Sequence, residues 1–156
     1  MKHILIVCTV ILSLLTGCSE DDTLFCKYRT IPLSQWHKDS VLVFTVEIAD
    51  TLPLYEIDLL IRNTDEYAYQ NLWLFFSQSC DNEPSERDTV NVFLADDYGN
   101  WRGTGVRSFF DNCFLYRDSV RFHRAGAYRF TIAHGMRYEM LDGISDAGLQ
   151  IIVKSE

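Results

Sequence analysis

The chain predicts an all-β fold, a single antiparallel β-sandwich of immunoglobulin-like or jelly-roll type. Three observations carry that expectation. Apolar residues alternate with polar ones at period two through several segments, as they do where a strand buries one face. Asp, Asn, Gly and Pro punctuate those segments at short intervals, and beyond the N-terminal leader no sustained helical period intervenes. Aromatic residues make up 13% of the chain and fall mostly inside the alternating segments, as a β-rich core requires. A small closed barrel of lipocalin type shares this composition and stays open beside the sandwich.

The elements follow in order. Cys26 lies among Phe25 and Tyr28 in a first strand. The run VLVFTVEI from Val41 to Ile48 and the run LYEIDLLIR from Leu54 to Arg62 both read as half-buried strands. Between them Asp50 and Pro53 interrupt any ladder, so the pair is expected to form a hairpin. Asn71 to Gln78 and Thr89 to Ala95 are two further strands, separated by the polar loop Ser79 to Asp88. Asp96-Asp97-Tyr98-Gly99-Asn100-Trp101 reads as a turn, because Asp, Gly and Asn tolerate left-handed backbone.

Val106 to Asp118 has no clean period, and a short helix or an irregular crossing is expected there. Val120 and Phe122 lead to Gly126, after which Tyr128, Phe130 and Ile132 alternate with Arg129, Thr131 and Ala133 as a strand. His134 to Leu141 could make a single helical turn, Asp142-Gly143 punctuates, and Leu149, Ile151 and Val153 form the last strand.

Residues 1–18, MKHILIVCTVILSLLTGC, have a lysine, an apolar run and then Leu15-Thr16-Gly17-Cys18. The run from Ile4 to Leu15 is about twelve residues against the roughly 20 that span a bilayer, so it suits a cleaved signal peptide. The small residues before Cys18 fit a lipoprotein peptidase, and Cys18 is the expected lipid attachment site. Residues 1–17 are thus read as the lipoprotein signal, 18–24 as an acidic tether beginning Ser19-Glu20-Asp21-Asp22, and 25–156 as the sandwich domain. Buried acyl chains contribute about 0.8 kcal/mol per methylene, so several chains hold such a protein on its membrane without a spanning helix.

The mature chain has about 140 residues, enough for one domain with a real core. The formal net charge of −8 becomes one unit more negative without Lys2, which argues against nucleic acid. With Cys8 in the signal and Cys18 acylated, Cys26, Cys80 and Cys113 remain. A Cys80–Cys113 disulfide is expected because both sit in polar, loop-like sequence, and three reduced cysteines are the alternative.

Motifs for a serine nucleophile, a phosphate loop or a zinc hydrolase are absent, and His37, His123 and His134 are far apart. Asp96 to Asn100 lacks the alternating ligands of a calcium loop. No enzyme activity, cofactor or metal is therefore expected. Outside the clean strands lie Trp36, Tyr67, Tyr69, Tyr98, Trp101, Arg102 and Arg137, of the types most often found as binding hot spots. Trp36, Tyr98, Trp101, Arg102 and Arg137 are the candidate partner-binding residues. Exposed rings and carboxylates would equally serve a surface glycan-binding lipoprotein.

Ile31-Pro32 followed by Trp36, then Tyr55, Ile61-Arg62-Asn63-Thr64 and Tyr67-x-Tyr69-x-Asn71-Leu72-Trp73 resemble the GldH gliding-motility lipoproteins of the Bacteroidetes. Asp88-Thr89, Leu94-Ala95-Asp96, Gly99-x-Trp101-x-Gly103-x-Gly105, Gly126-x-Tyr128-x-Phe130, Met136-Arg137 and Leu141-x-Gly143-Ile144 continue in the order that family uses. The resemblance covers essentially the whole mature chain. It implies a membrane-anchored envelope lipoprotein, and the acidic tether Ser19-Glu20-Asp21-Asp22 separately resembles that of lipoproteins sent to the outer membrane, on a face the residues leave undecided. It also implies a part in gliding alongside the type IX secretion machinery, with no catalytic activity to carry over; binding of an envelope protein partner through the candidate residues above is the expected mode of action.

Overall fold

The computed structural model describes residues 22–81 and 85–154. The signal peptide expected over residues 1–17 and the acylation site Cys18 lie outside the described residues. Two antiparallel sheets enclose one core. The first has the order β1 (Thr23–Thr30), β11 (Ile144–Lys154), β4 (Leu54–Thr64), β8 (Phe109–Val120) and β7 (Thr104–Val106). The second has the order β3 (Leu42–Ile48), β9 (Gly126–His134), β5 (Asn71–Cys80) and β6 (Glu86–Phe93). A small ribbon pairs β2 (Gln35–His37) with β10 (Met140–Asp142). Because β1 starts at Thr23, the sheet takes in the last two residues of the segment expected as tether.

Alternation places Tyr55, Ile57, Leu59 and Ile61 of β4 on the inner face, opposite Phe44, Val46 and Ile48 of β3 and Leu72, Leu74 and Phe76 of β5. All are buried, and each such side chain contributes about 1.5–3 kcal/mol by leaving water. Gly148 of β11 lets two strands approach closely, since a Cβ there would lie 2.8 Å or less from a neighbour, 2.7 Å from the Lys27 carbonyl oxygen.

Several expectations are corrected. The segments 41–48 and 54–62 are strands but not a hairpin: β3 pairs with β9, whereas β4 lies between β11 and β8. Asp50 turns the chain from one sheet to the other, its Oδ1 accepting from Leu52 N at 2.9 Å and its carbonyl from the Tyr55 hydroxyl at 2.6 Å. The unreadable segment 106–118 holds most of β8, the longest strand described. Its period was hidden because apolar side chains occupy both faces, with Phe114 packed on the core while Phe109 and Leu115 are exposed. No helical turn forms over 134–141, where the chain instead runs into β10 to pair Leu141 with Trp36.

The Cys80–Cys113 disulfide is also corrected, and Cys26, Cys80 and Cys113 are all free thiols. Cys80 ends β5 inside the core, with its sulfur accepting from Arg124 Nε at 3.3 Å. Cys113 is exposed on the outer face of the opposite sheet. Packed sheets stand about 10 Å apart, beyond the roughly 7 Å between Cα atoms that a disulfide tolerates.

Candidate functional site

The registers give the sandwich two unlike ends. Thr23 pairs with Ile152, which pairs with Glu56, so the chain enters the domain at the end that holds the 49–53 and 121–125 connections. The 64–71, 94–104 and 135–143 connections gather at the other end. Most of the candidate binding residues are on them.

This far pole is built around a connected series of rings. Tyr67 packs edge-on against Tyr69 at 5.6 Å between centroids and lies 6.5 Å from Trp101. Tyr69 in turn stacks on Tyr138 at 5.5 Å, and Trp101 continues the series to Phe110 at 5.6 Å. Tyr67 is the buried keystone: its hydroxyl donates to the Asn71 carbonyl at 2.8 Å, and burial pushes that phenol far above its ordinary pKa. Gly143 makes the position available. Its φ is +90°, and a Cβ there would fall 2.5 Å from the Tyr67 backbone.

The turn presenting Tyr98 and Trp101 is held by its own first carboxylate. Asp96 Oδ1 accepts from the backbone N–H groups of Tyr98 and Asn100, both at 2.9 Å, while Oδ2 accepts from Asn100 Nδ2 at 3.0 Å. The Asn100 side chain is the main reason the Asp96 carboxyl lies below the usual carboxylate range. Gly99, at φ +83°, takes the left-handed position the turn requires. An isolated bridge between Ala95 and Trp101 closes the loop, and Arg102 Nε donates to the Ala95 carbonyl at 3.2 Å.

Tyr98 therefore stands almost free, 91% exposed, at the tip. Trp101 is half-buried against Tyr67 and Phe110, and Arg102 is exposed beside it. Arg137 is exposed on the neighbouring 135–139 loop, next to Tyr138. Tyr67, Tyr69, Gln70, Asp96 and Trp101 line a cavity of about 360 Å³ between these loops.

Trp36 does not belong to this surface. It is fully buried under the same pole, its Nε1 donating to the Ser40 carbonyl at 2.8 Å and its indole lying against His134. A three-residue strand is too short for alternation to reveal an inward position. Conversely, Tyr138 and Phe110 complete the ring series and were not anticipated. Their signal was weak, because Tyr138 sits in an irregular loop and Phe110 in the strand whose period was obscured. Among the described residues no three His, Cys, Asp or Glu side chains converge as metal ligands.

A family model described as GldH lipoprotein matches residues 23–151, a span that includes every residue of this pole. The chain is 29% identical over 126 residues to a gliding motility lipoprotein GldH homolog of Christiangramia forsetii, covering 76% of this chain and 78% of that one. It is 28% identical over 145 residues to the gliding motility lipoprotein GldH of Flavobacterium johnsoniae, covering 88% of this chain and 89% of that one.

Proposed function

Because the chain belongs to the GldH lipoprotein family, we propose that it is a lipid-anchored envelope protein that serves gliding motility or type IX secretion by binding another envelope protein, without catalysing a reaction. In this reading residues 1–17 are removed, Cys18 is acylated, and the acyl chains hold the domain at the outer membrane. The observation that carries it is the placement of the rings. The described chain enters the sandwich at Thr23, and Tyr98, Trp101 and Arg102 are gathered at the opposite end with Arg137 near them. A tether at one end therefore leaves the aromatic pole directed away from its own membrane. Anchoring also raises the local concentration of the pole relative to any partner in the same envelope.

Trp, Tyr and Arg suit this task because they combine large contact area with hydrogen-bonding edges. The surface-glycan reading draws on the ring-lined cavity beside Gln70 and Asp96, where a sugar face could stack and its hydroxyls be held. The two readings separate in one comparison. Acylated protein is recovered from gently solubilised envelopes alongside Cys18→Ala and Tyr98→Ala/Arg137→Ala forms, and the same preparations are applied to a glycan array. One recurrent envelope protein, lost with either variant, supports protein binding. Glycan binding lost with Tyr98→Ala/Arg137→Ala, without a recurrent protein, replaces it by the second reading.

A further inference from the structure

We infer that the outer face of the β3-β9-β5-β6 sheet is a second binding surface, for an extended acidic segment of another protein that also carries apolar side chains. It is separate from the ring-lined pole. Trp73 is 41% exposed, Phe75 54% and Phe93 47%, and all three point outward from two paired strands. Phe75 lies close over Gly135: a Cβ there would stand 3.1 Å from its ring, a tight contact that glycine avoids. This is a sheet face whose rings are positioned but not covered.

The charges around it select the partner. Acidic residues outnumber basic ones by 22 to 14 in the chain, yet Glu47 is the only carboxylate among the described outward positions of these four strands. Lys38 and Arg87 stand on opposite banks of a groove of about 760 Å³ floored by Phe75, Ser77 and Thr131. Arg129 projects from β9 on the same face. Neither Arg87 nor Arg129 has an ion pair among the described residues, and Lys38 has only an exposed one with Glu139 at 3.6 Å. The carboxylate at the rim, Asp88, is already engaged by the Tyr116 hydroxyl at 3.0 Å and the Thr89 N–H at 2.7 Å. Apolar rings among two arginines without an ion pair among the described residues and a lysine engaged only at the surface call for carboxylates flanking apolar groups.

The spacing selects an extended segment. Trp73 and Phe75 lie two residues apart on one strand, about 7 Å, which is the distance between same-face side chains of an extended peptide. A bilayer is too flat to reach Ser77 and Thr131 at the groove floor, whose hydroxyls hydrogen-bond to each other at 2.5 Å. A narrow chain can.

The test uses the full acylated chain in neutral-lipid nanodiscs and fluorescence polarisation of a labelled peptide of about ten residues alternating Phe and Glu, with a Phe-Lys peptide as its counterpart. The Phe-Glu peptide is expected to bind at least about tenfold more tightly than the Phe-Lys peptide, with the preference shrinking as salt rises. The double variant Lys38→Glu/Arg87→Glu, at two exposed positions that leave the core untouched, is expected to abolish that preference. Phe75→Ser should weaken binding, and Tyr98→Ala, at the pole, should leave it unchanged. Equal binding of the two peptides, or a preference that survives the double charge reversal, overturns the inference. So does binding to phosphatidylglycerol vesicles that this double variant abolishes while the peptide goes unbound, which would make the face a membrane surface. A negative result here leaves the pole's partner test standing.

Discussion

The imidazole of His134 lies edge-on against the indole of Trp36, with ring centroids 5.6 Å apart and planes at 71°. The histidine is 2% exposed, and neither ring nitrogen has a hydrogen-bond partner within normal geometry among the described residues. Burial accordingly pushes its pKa below the ordinary value of 6.5. The unfolded chain then binds a proton at a pH where the folded chain does not. The neutral histidine's contribution is fully present above about pH 6.5 and is lost as pH falls below that, towards the lowered folded value. Urea unfolding at pH 8, 6.5 and 5 should show this decline. His134→Leu should flatten that limb, with a change at pH 8 within about 1 kcal/mol, because the ring's one polar contact, to the Trp36 backbone, falls short of good hydrogen-bond geometry.

A second prediction concerns Cys113. Although the residue is exposed at the sheet surface, partial desolvation of its sulfur, reinforced by the adjacent Asp58 carboxylate, pushes the thiol up to about 11 from an ordinary 9.0. Asp58 is itself buried, and the same burial raises its carboxyl pKa. At pH 8 the thiolate population is therefore about a hundredfold below that of an unperturbed thiol, and alkylation should be slowed accordingly. Peptide-resolved mass spectrometry after timed iodoacetamide treatment measures this. Asp58→Asn should speed the reaction, and an unchanged rate would mean that the carboxylate has no part in it.

The pole separates packing from exposure. Trp101→Ala removes a ring wedged between Tyr67 and Phe110, and should destabilise the domain by about 2 kcal/mol, less than for a fully buried tryptophan. Tyr98→Ala removes a ring that is 91% exposed and should change stability by less than about 0.5 kcal/mol. Thermal unfolding of the two variants gives the comparison, and Tyr98→Ala is then the cleaner probe of binding.

Two glycines with similar backbone angles should respond differently to alanine. Gly99, at φ +83°, has nothing within 4 Å of a built Cβ, so Gly99→Ala should cost about 1 kcal/mol for the left-handed backbone alone. Gly143, at φ +90°, would drive its Cβ to 2.5 Å from Tyr67. Gly143→Ala should therefore cost at least about 3 kcal/mol and disturb the Tyr67-Tyr69-Tyr138 series. Denaturant titration combined with near-ultraviolet circular dichroism reads both effects.

Local chemistry accounts for what was legible in the residues alone. Tyr55, Ile57, Leu59 and Ile61 announce both a strand and its inward face, because side chains alternate along extended backbone whatever the strand pairs with. The Asp96 to Trp101 turn is equally local, since its carboxylate and its left-handed glycine lie within the turn itself. The ordered series from Ile31-Pro32 to Gly143-Ile144 was enough to indicate the family. Partner choice was not legible: β3 and β4 are neighbours in the chain and lie in different sheets, because alternation specifies a face but no neighbour. Burial of short or two-faced segments was not legible either. Trp36 lies in a three-residue strand and is core, while Trp73 and Phe75 lie inside an apolar run and face solvent. The cysteines show the same division, for polar surroundings in sequence brought Cys80 and Cys113 together only on paper. Whether a side chain meets solvent, a ring or a thiol depends on elements far away in the chain, and tertiary packing alone brings those elements to it.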